Sequence, residues 1–168
     1  MRTRLIVSLI AALALQACGE RSKEPAAAPQ PAAAPAPESE LAAALRAARG
    51  KYYFDFVKEA GMERYAAENL GLDAQAAARF SRNMDIQGVG AIAAANGVEA
   101  LVFTGCVEAS CGGGAGPLSV IAIDVQSGDA FVGVKDAEGE TVLKPLPRIQ
   151  MLLTETSPTN SWSNPTRD

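Results

Sequence analysis

The feature that most constrains this chain is a change of hydrophobic period near Met84. Ahead of it, Leu41, Leu45, Ala48, Tyr52, Phe56 and Ala60 recur at three- and four-residue spacing. That spacing predicts a helix from about Glu40 to Ala60 with one apolar stripe, capped by Ser39 and stopped by Gly61. Gly50 inside it marks a point where it can break. A second helical stretch covers Met62 to Leu70 and Asp73 to Arg82, divided by Gly71, with Asp73 as N-cap and Ala76, Ala77 and Phe80 on the buried face. Beyond Met84 the period becomes two. Ile86 to Ala94, Val98 to Thr104, Leu118 to Val125, Ala130 to Lys135, Thr141 to Leu143 and Ile149 to Thr154 are short aliphatic runs bounded by turn residues. Asn96-Gly97, Ser127-Gly128-Asp129 and Glu138-Gly139-Glu140 are hairpin signals. Pro145 and Pro147 belong at an edge or in a connection. Helices followed by a meander of hairpins predict an α+β fold: an antiparallel sheet of about five strands with the N-terminal helices packed on one face.

Composition narrows the function. The 168 residues are 48% hydrophobic but only 5% aromatic, so the core is small and aliphatic. There is no histidine. Its absence removes the commonest general base, the Ser-His and Cys-His couples and every imidazole-dependent zinc site. The expectation is a protein that is not an enzyme and needs no cofactor or metal. An acid pair built from Glu108 with Asp124 or Asp136 has no spacing to support it. The formal charge is -4, and becomes -6 once Arg2 and Arg4 leave with the leader. An acidic surface argues against nucleic acid and suits a basic protein partner.

Residues 1–17 have the parts of an export signal: Arg2 and Arg4, an apolar run from Leu5 to Leu15, then small residues. The apolar run is short for a permanent membrane span. Leu15-Gln16-Ala17-Cys18 resembles a bacterial lipobox, which implies that Cys18 is acylated and becomes the first mature residue, tying the protein to the membrane. Gly19, rather than Asp, follows it, which by the lipoprotein sorting rule implies the outer membrane. Residues 18–39 are rich in Pro and Ala and carry no apolar face. They predict an extended tether rising about 3 Å per residue, roughly 60 Å in all. Residues 40–156 form the expected folded domain and 157–168 an irregular tail in which Trp162 can dock back.

Cys18 accounts for one of three cysteines, leaving Cys106 and Cys111 as a pair. Export implies an oxidising compartment, so a Cys106–Cys111 disulfide is expected at the tip between two strands. Closing so small a ring stabilises by only about 2 kcal/mol, and the bond serves mainly to shape the tip. A thioredoxin-type couple needs two intervening residues and a helix N-terminus, whereas four residues intervene here. A metal site lacks further ligands nearby. The run Gly112-Gly113-Gly114-Ala115-Gly116 is not followed by Lys-Ser/Thr, so it predicts a flexible return and not a phosphate cradle.

These residues resemble the Ivy family, periplasmic inhibitors of vertebrate-type lysozyme in Gram-negative bacteria. The likeness rests on the apolar run Ala100 to Cys106, on Cys111-Gly112, on Leu118 to Ile123 and on Ala130-Phe131-Val132-Gly133-Val134, and is clearest from Val98 to Val134. It implies the helix-then-sheet fold and a disulfide-stiffened loop, Cys106, Val107, Glu108, Ala109, Ser110, Cys111 and Gly112, that inserts into a partner's substrate cleft. The implied partner is a protein, a lysozyme or lytic transglycosylase. In the family the loop presents Lys-Pro-His-Asp, where this chain has Val107, Glu108, Ala109 and Ser110. A second reading therefore stands beside the first: an envelope lipoprotein of the same fold that binds another periplasmic partner or has an architectural role. The sequence carries no signal of oligomeric state.

Overall fold

A computed structural model describes residues 38–107 and 117–156. The expected leader, the tether as far as Pro37, residues 108–116 and the tail from Ser157 lie outside them. The described part opens with helix α1 (Glu40–Ala47), where Ser39 Oγ accepts a hydrogen bond from Ala42 N at 3.1 Å, the expected cap. The helix does not run on to Ala60. Gly50 takes φ 85°, a left-handed conformation that glycine adopts without a Cβ penalty, and the chain leaves the helix there. The backbone then pairs with the sheet edge: Gly50 N donates to Gly90 O and Gly90 N to Lys51 O, each at 2.8 Å. Helix α2 (Tyr53–Phe56) restarts in a new phase. Tyr53 is buried as a result, whereas Tyr52 and Ala60, assigned by spacing to the apolar stripe, are exposed.

Met62 to Leu70 is not a helix but two 3-10 turns, Glu63–Tyr65 and Ala67–Asn69, separated by extended Ala66. Helix α3 (Ala74–Arg82) follows the predicted limits, with Asp73 Oδ1 accepting from Ala76 N at 2.8 Å.

Six antiparallel strands form the sheet: β1 (Ile86–Gln87), β2 (Ala91–Ala95), β3 (Val98–Cys106), β4 (Leu118–Asp124), β5 (Ala130–Asp136) and β6 (Gly139–Lys144). The order is β1-β3-β4-β5-β6, with β2 also pairing β3. The predicted strand from Ile86 to Ala94 is split into β1 and β2 by a bulge. Ile86 faces Cys106 and Gln87 faces Gly105, but Ala91 faces Val102, so the β1–β2 side carries one extra residue. Asn96 (φ 51°) and Gly97 (φ 76°) make the tight β2–β3 turn, both left-handed as a two-residue hairpin of this kind requires.

The last predicted strand is a helix. Ile149 to Thr154 belongs to α4 (Pro147–Thr156), in which Ile149, Leu152 and Leu153 fall on one buried face. Pro147 opens it, its fixed φ suited to the first helical turn. The N-terminal helices cover one face of the sheet as expected, and α4 covers the other. The N-terminal helices pack Leu45, Tyr53, Phe56, Phe80 and Met84 on Leu101, Phe103, Ile121, Ile123, Val132 and Val134. On the opposite face α4 packs Ile149, Leu152 and Leu153 on Ala100, Val102, Val120, Ala122 and Phe131. Every residue of β4 is buried, because both its faces are covered.

One ion pair ties the helical layer to the sheet. Arg79, at the end of α3 and only 8% exposed, donates to both Asp136 carboxylate oxygens at 2.5 Å, to Thr141 Oγ1 at 3.1 Å and to Gly139 O at 3.1 Å. The Arg79 guanidinium holds the Asp136 carboxyl below its usual range. A depressed carboxylate pKa contributes stability that is present above the unfolded value, about 3.9, and is lost as pH falls through the folded one. Arg79→Ala should lower the unfolding free energy by about 2–3 kcal/mol at neutral pH. Urea melts across pH 7 to pH 2 check this: the difference between wild type and Asp136→Asn should shrink below about pH 4. A gap unchanged at pH 2 would show that the charged pair is not its source.

Candidate binding face at the loop end of the sheet

The loop singled out by sequence springs from a deeply buried hairpin, in which β4 is buried throughout. β3 and β4 pair without interruption from Ala100↔Asp124 to Cys106↔Leu118, and Val107 N donates to Pro117 O at 3.4 Å beyond the last pair. The excursion from residue 108 to 116 thus leaves and returns at a closed stem. Cys106 is the last residue of β3 and half-buried, with Sγ 3.6 Å from the Ile86 carbonyl oxygen. Val107 is half-buried at the stem mouth. Glu108, Ala109, Ser110, Cys111 and Gly112 lie outside the described residues, as does the expected lipidation site Cys18.

The stem is braced from the helical side by polar groups that hydrophobic pattern does not reveal. Asn83, 1% exposed, donates through Nδ2 to Leu118 O at 3.4 Å and to Lys135 O at 3.3 Å. Ser119 Oγ donates to Phe80 O at 2.9 Å. Both lie at the C-terminal end of α3 or across from it, so the end of that helix is bonded to β4 and β5 next to the loop. Among the described residues, no buried side-chain nitrogen or oxygen lacks a hydrogen-bond partner. A fully satisfied polar brace of this kind holds the hairpin mouth in one geometry.

Beside the stem lies an apolar shelf. Tyr52 and Val89 pair across the edge and are 50% and 51% exposed. Phe54, 38% exposed, donates its backbone N–H to Gln87 Oε1 at 2.9 Å. Ile86, 43% exposed, stands opposite Cys106 in the register. These four are all but one of the exposed large hydrophobic residues described, the fifth being Met151 on α4. Sequence spacing assigned Tyr52 to the core.

The other end of the sheet is polar. An open groove of about 590 Å³ lies between the start of α1 and the β2–β3 and β4–β5 turns, lined by Glu38, Arg46, Glu99, Asp124 and Arg148 among others. Its charges are matched. Arg46 bonds Glu99 (Nε to Oε1, 2.8 Å) and pairs with Glu38, and its guanidinium draws the Glu99 carboxyl below its usual range. Asp124, 4% exposed, accepts from Gln126 N and Ser127 N at 2.8 Å each and pairs with Arg148 Nε at 2.8 Å.

The two carboxylates weighed as partners of Glu108 are thus in separate ion pairs. Asp124 is engaged by Arg148 at the groove end of β4, and Asp136 by Arg79 at the opposite end of β5. Among the described residues, no group of three or more His, Cys, Asp or Glu could hold a metal ion, and no helix is long and apolar enough to cross a membrane. No family model, no curated protein and no solved structure matches the chain.

Proposed function

We propose that this is a lipid-anchored envelope protein of the lysozyme-inhibitor type, which binds a cell-wall-cleaving enzyme through the loop closed by Cys106 and Cys111. The observation that carries the reading is the stem: a hairpin buried on both faces, paired out to Val107 and Pro117, with its mouth braced by Asn83 and Ser119. Such a base fixes where the loop leaves and returns, which lowers the ordering cost of presenting it to a cleft. The expected disulfide tightens it further. The acidic mature chain speeds encounter with a basic enzyme, and this contribution falls with salt.

The test is inhibition. Purified residues 19–168 at micromolar concentration should slow at least one member of a panel of vertebrate-type lysozymes and lytic transglycosylases, and pretreatment with reductant should weaken the effect. Unchanged activity across the panel sinks the proposal.

The loop residues favour a second reading. Ala109 has no side-chain hydrogen-bond donor, and Glu108 would bring a carboxylate toward an acidic catalytic pair, where like charges repel. A different periplasmic partner, or an architectural role, then replaces the lysozyme. Affinity capture with wild type and with the Val107→Ala/Glu108→Ala/Ser110→Ala variant separates these. One dominant partner lost on mutation indicates a binding loop, and an unchanged set indicates architecture.

A further inference from the structure

We infer that Asn96 is a site of spontaneous deamidation, and that the carboxylate left there repels Glu155 and frees the last turn of α4 from the β2–β3 turn. It needs nothing of the loop-binding proposal, because Asn96 lies just before the start of β3 and the loop stem at its other end.

Asn96-Gly97 is the only Asn-Gly pair in the chain. Both residues are exposed, and the ladder closes at Ala95↔Val98, so the Gly97 amide lies outside the strand pairing. A Cβ built on Gly97 would meet nothing within 4 Å, so the space around it is open and no side chain of its own shields its nitrogen. Attack of that nitrogen on Asn96 Cγ forms a new C–N bond and closes an imide ring. The Cγ–Nδ2 bond breaks, and ammonia leaves with the proton from the Gly97 N–H. Water then opens the imide at either carbonyl, giving an aspartate or an isoaspartate at position 96. The net exchange is an amide plus water for a carboxylic acid plus ammonia, with no oxidant or cofactor. The other described asparagines are less suited. Asn83 is 1% exposed with its amide bonded to two carbonyls, and Asn69 Nδ2 donates to Glu63 O and is followed by Leu70 in place of glycine.

The consequence follows from what the Asn96 amide holds. Its Nδ2 donates to Glu155 Oε2 at 2.7 Å, joining the hairpin turn to the end of α4. Glu155 is poorly placed for its own helix: a carboxylate in the last turn opposes the helix dipole, and no basic residue stands in that turn to offset it. Asn96 supplies the donor that the helix end lacks. Deamidation puts an oxygen of a second carboxylate where that donor was, and two like charges this close repel. The aspartate product keeps the hairpin, since Asp-Gly suits the same left-handed turn. The isoaspartate product adds a backbone carbon inside a two-residue turn and so disturbs its register as well. Arg148 still ties the start of α4 to Asp124, which confines the release to the far end of the helix. Leu152 and Leu153, just before that end, belong to the apolar layer that Ala95 and Val98 adjoin, so fraying there loosens the cover over β2.

The experiment ages the purified protein in neutral buffer beside a synthetic peptide spanning Ala91 to Leu101, and follows position 96 in both by peptide mass mapping. Aspartate and isoaspartate are expected in the folded protein, formed about tenfold more slowly than in the peptide because the turn must leave its hairpin dihedrals before the ring closes. A folded rate more than roughly a hundredfold below that of the peptide overturns the site. Amide exchange reads the consequence. In the aged protein and in Asn96→Asp, amides of residues 153–156 should exchange at least about threefold faster than in unaged wild type, with those of β4 unchanged. Asn96→Gly keeps the turn and removes the bond without adding charge, so its exchange should fall between the two. Asn96→Asp exchange at 153–156 no faster than that of Asn96→Gly overturns the repulsion and the release of α4. The double variant Asn96→Asp/Glu155→Gln restores a donor and acceptor with the direction reversed. Its exchange should return toward wild type, and a double variant as fast as Asn96→Asp overturns charge repulsion as the cause.

Discussion

Phe103→Ala is expected to lower the unfolding free energy by about 3–5 kcal/mol and the melting temperature by roughly 10–20 °C. Phe103 is fully buried at the meeting of sheet and helices. Its ring stacks on Phe56 with centroids 5.0 Å apart and meets the Tyr53 ring at 5.8 Å and 64°. Tyr53 in turn meets Phe80 edge-on at 5.7 Å and donates its hydroxyl to Tyr65 O at 2.8 Å. Deleting the Phe103 ring removes its burial and leaves a void lined by rigid rings that cannot collapse into it. In so weakly aromatic a chain, this cluster is the joint between α2, α3 and β3. Chemical denaturation of Phe103→Ala and Phe103→Leu measures it. A loss below about 1 kcal/mol for the alanine variant would mean that the rings do not pack as described.

Gly105→Ala is expected to cost about 2–3 kcal/mol and to loosen the loop stem selectively. A Cβ at this position would lie 2.5 Å from Met84 Cα and 2.9 Å from Asn83 O, both main-chain atoms that cannot rotate aside. Either β3 bows away from α3 or the α3–β1 connection moves outward. Both displace Asn83 from the Leu118 and Lys135 carbonyls and weaken the brace under the loop. The signature is local as well as global: amides of residues 104–107 and 117–119 should exchange faster under conditions where those of β5 are unchanged. Partner binding by the loop should fall with them. Uniform destabilisation with no preferential exchange at the stem would show that Gly105 serves the core alone.

Much of the fold is legible in the chain because it is local. Asn96-Gly97 sets the β2–β3 turn through the backbone freedom of two residues, and Ser39 and Asp73 cap their helices through hydrogen bonds within three residues. Strands β3, β4 and β5 are continuous aliphatic runs between turn signals, and they form within a residue or two of their predicted ends. Cys106, too, falls at the end of β3 where the sequence places it. What local pattern misses is set by contacts distant in sequence. The predicted helix stops after Ala47, and Gly50 and Lys51 bond instead to Gly90, about forty residues away along the chain.

The stretch Ile149 to Thr154 shows the ambiguity most plainly. Apolar residues at 149, 151, 152 and 153 satisfy either period, and a strand is a reasonable reading of them. Helix wins because Pro147 starts one and because the outer face of β3, β4 and β5 presents Ala100, Val102, Val120, Ala122 and Phe131, which need cover. A strand could add only to an edge; a helix can lie across the face. The shelf was invisible for a related reason: exposure of Tyr52 depends on where α1 ends, and Lys51 beyond that end bonds to Gly90.

By itself the sequence determines an α+β chain with helices ahead of a hairpin meander, no histidine chemistry, an acidic surface and a cysteine loop between two buried strands. Those properties follow from composition, turn residues and periodicity, which act over a few residues. Only the tertiary structure decides that both faces of the sheet are covered, that Asn83 and Ser119 brace the loop stem, and that an exposed apolar shelf adjoins it. Each of these depends on which segments meet in space, and the burial and hydrogen bonding gained there override local preference.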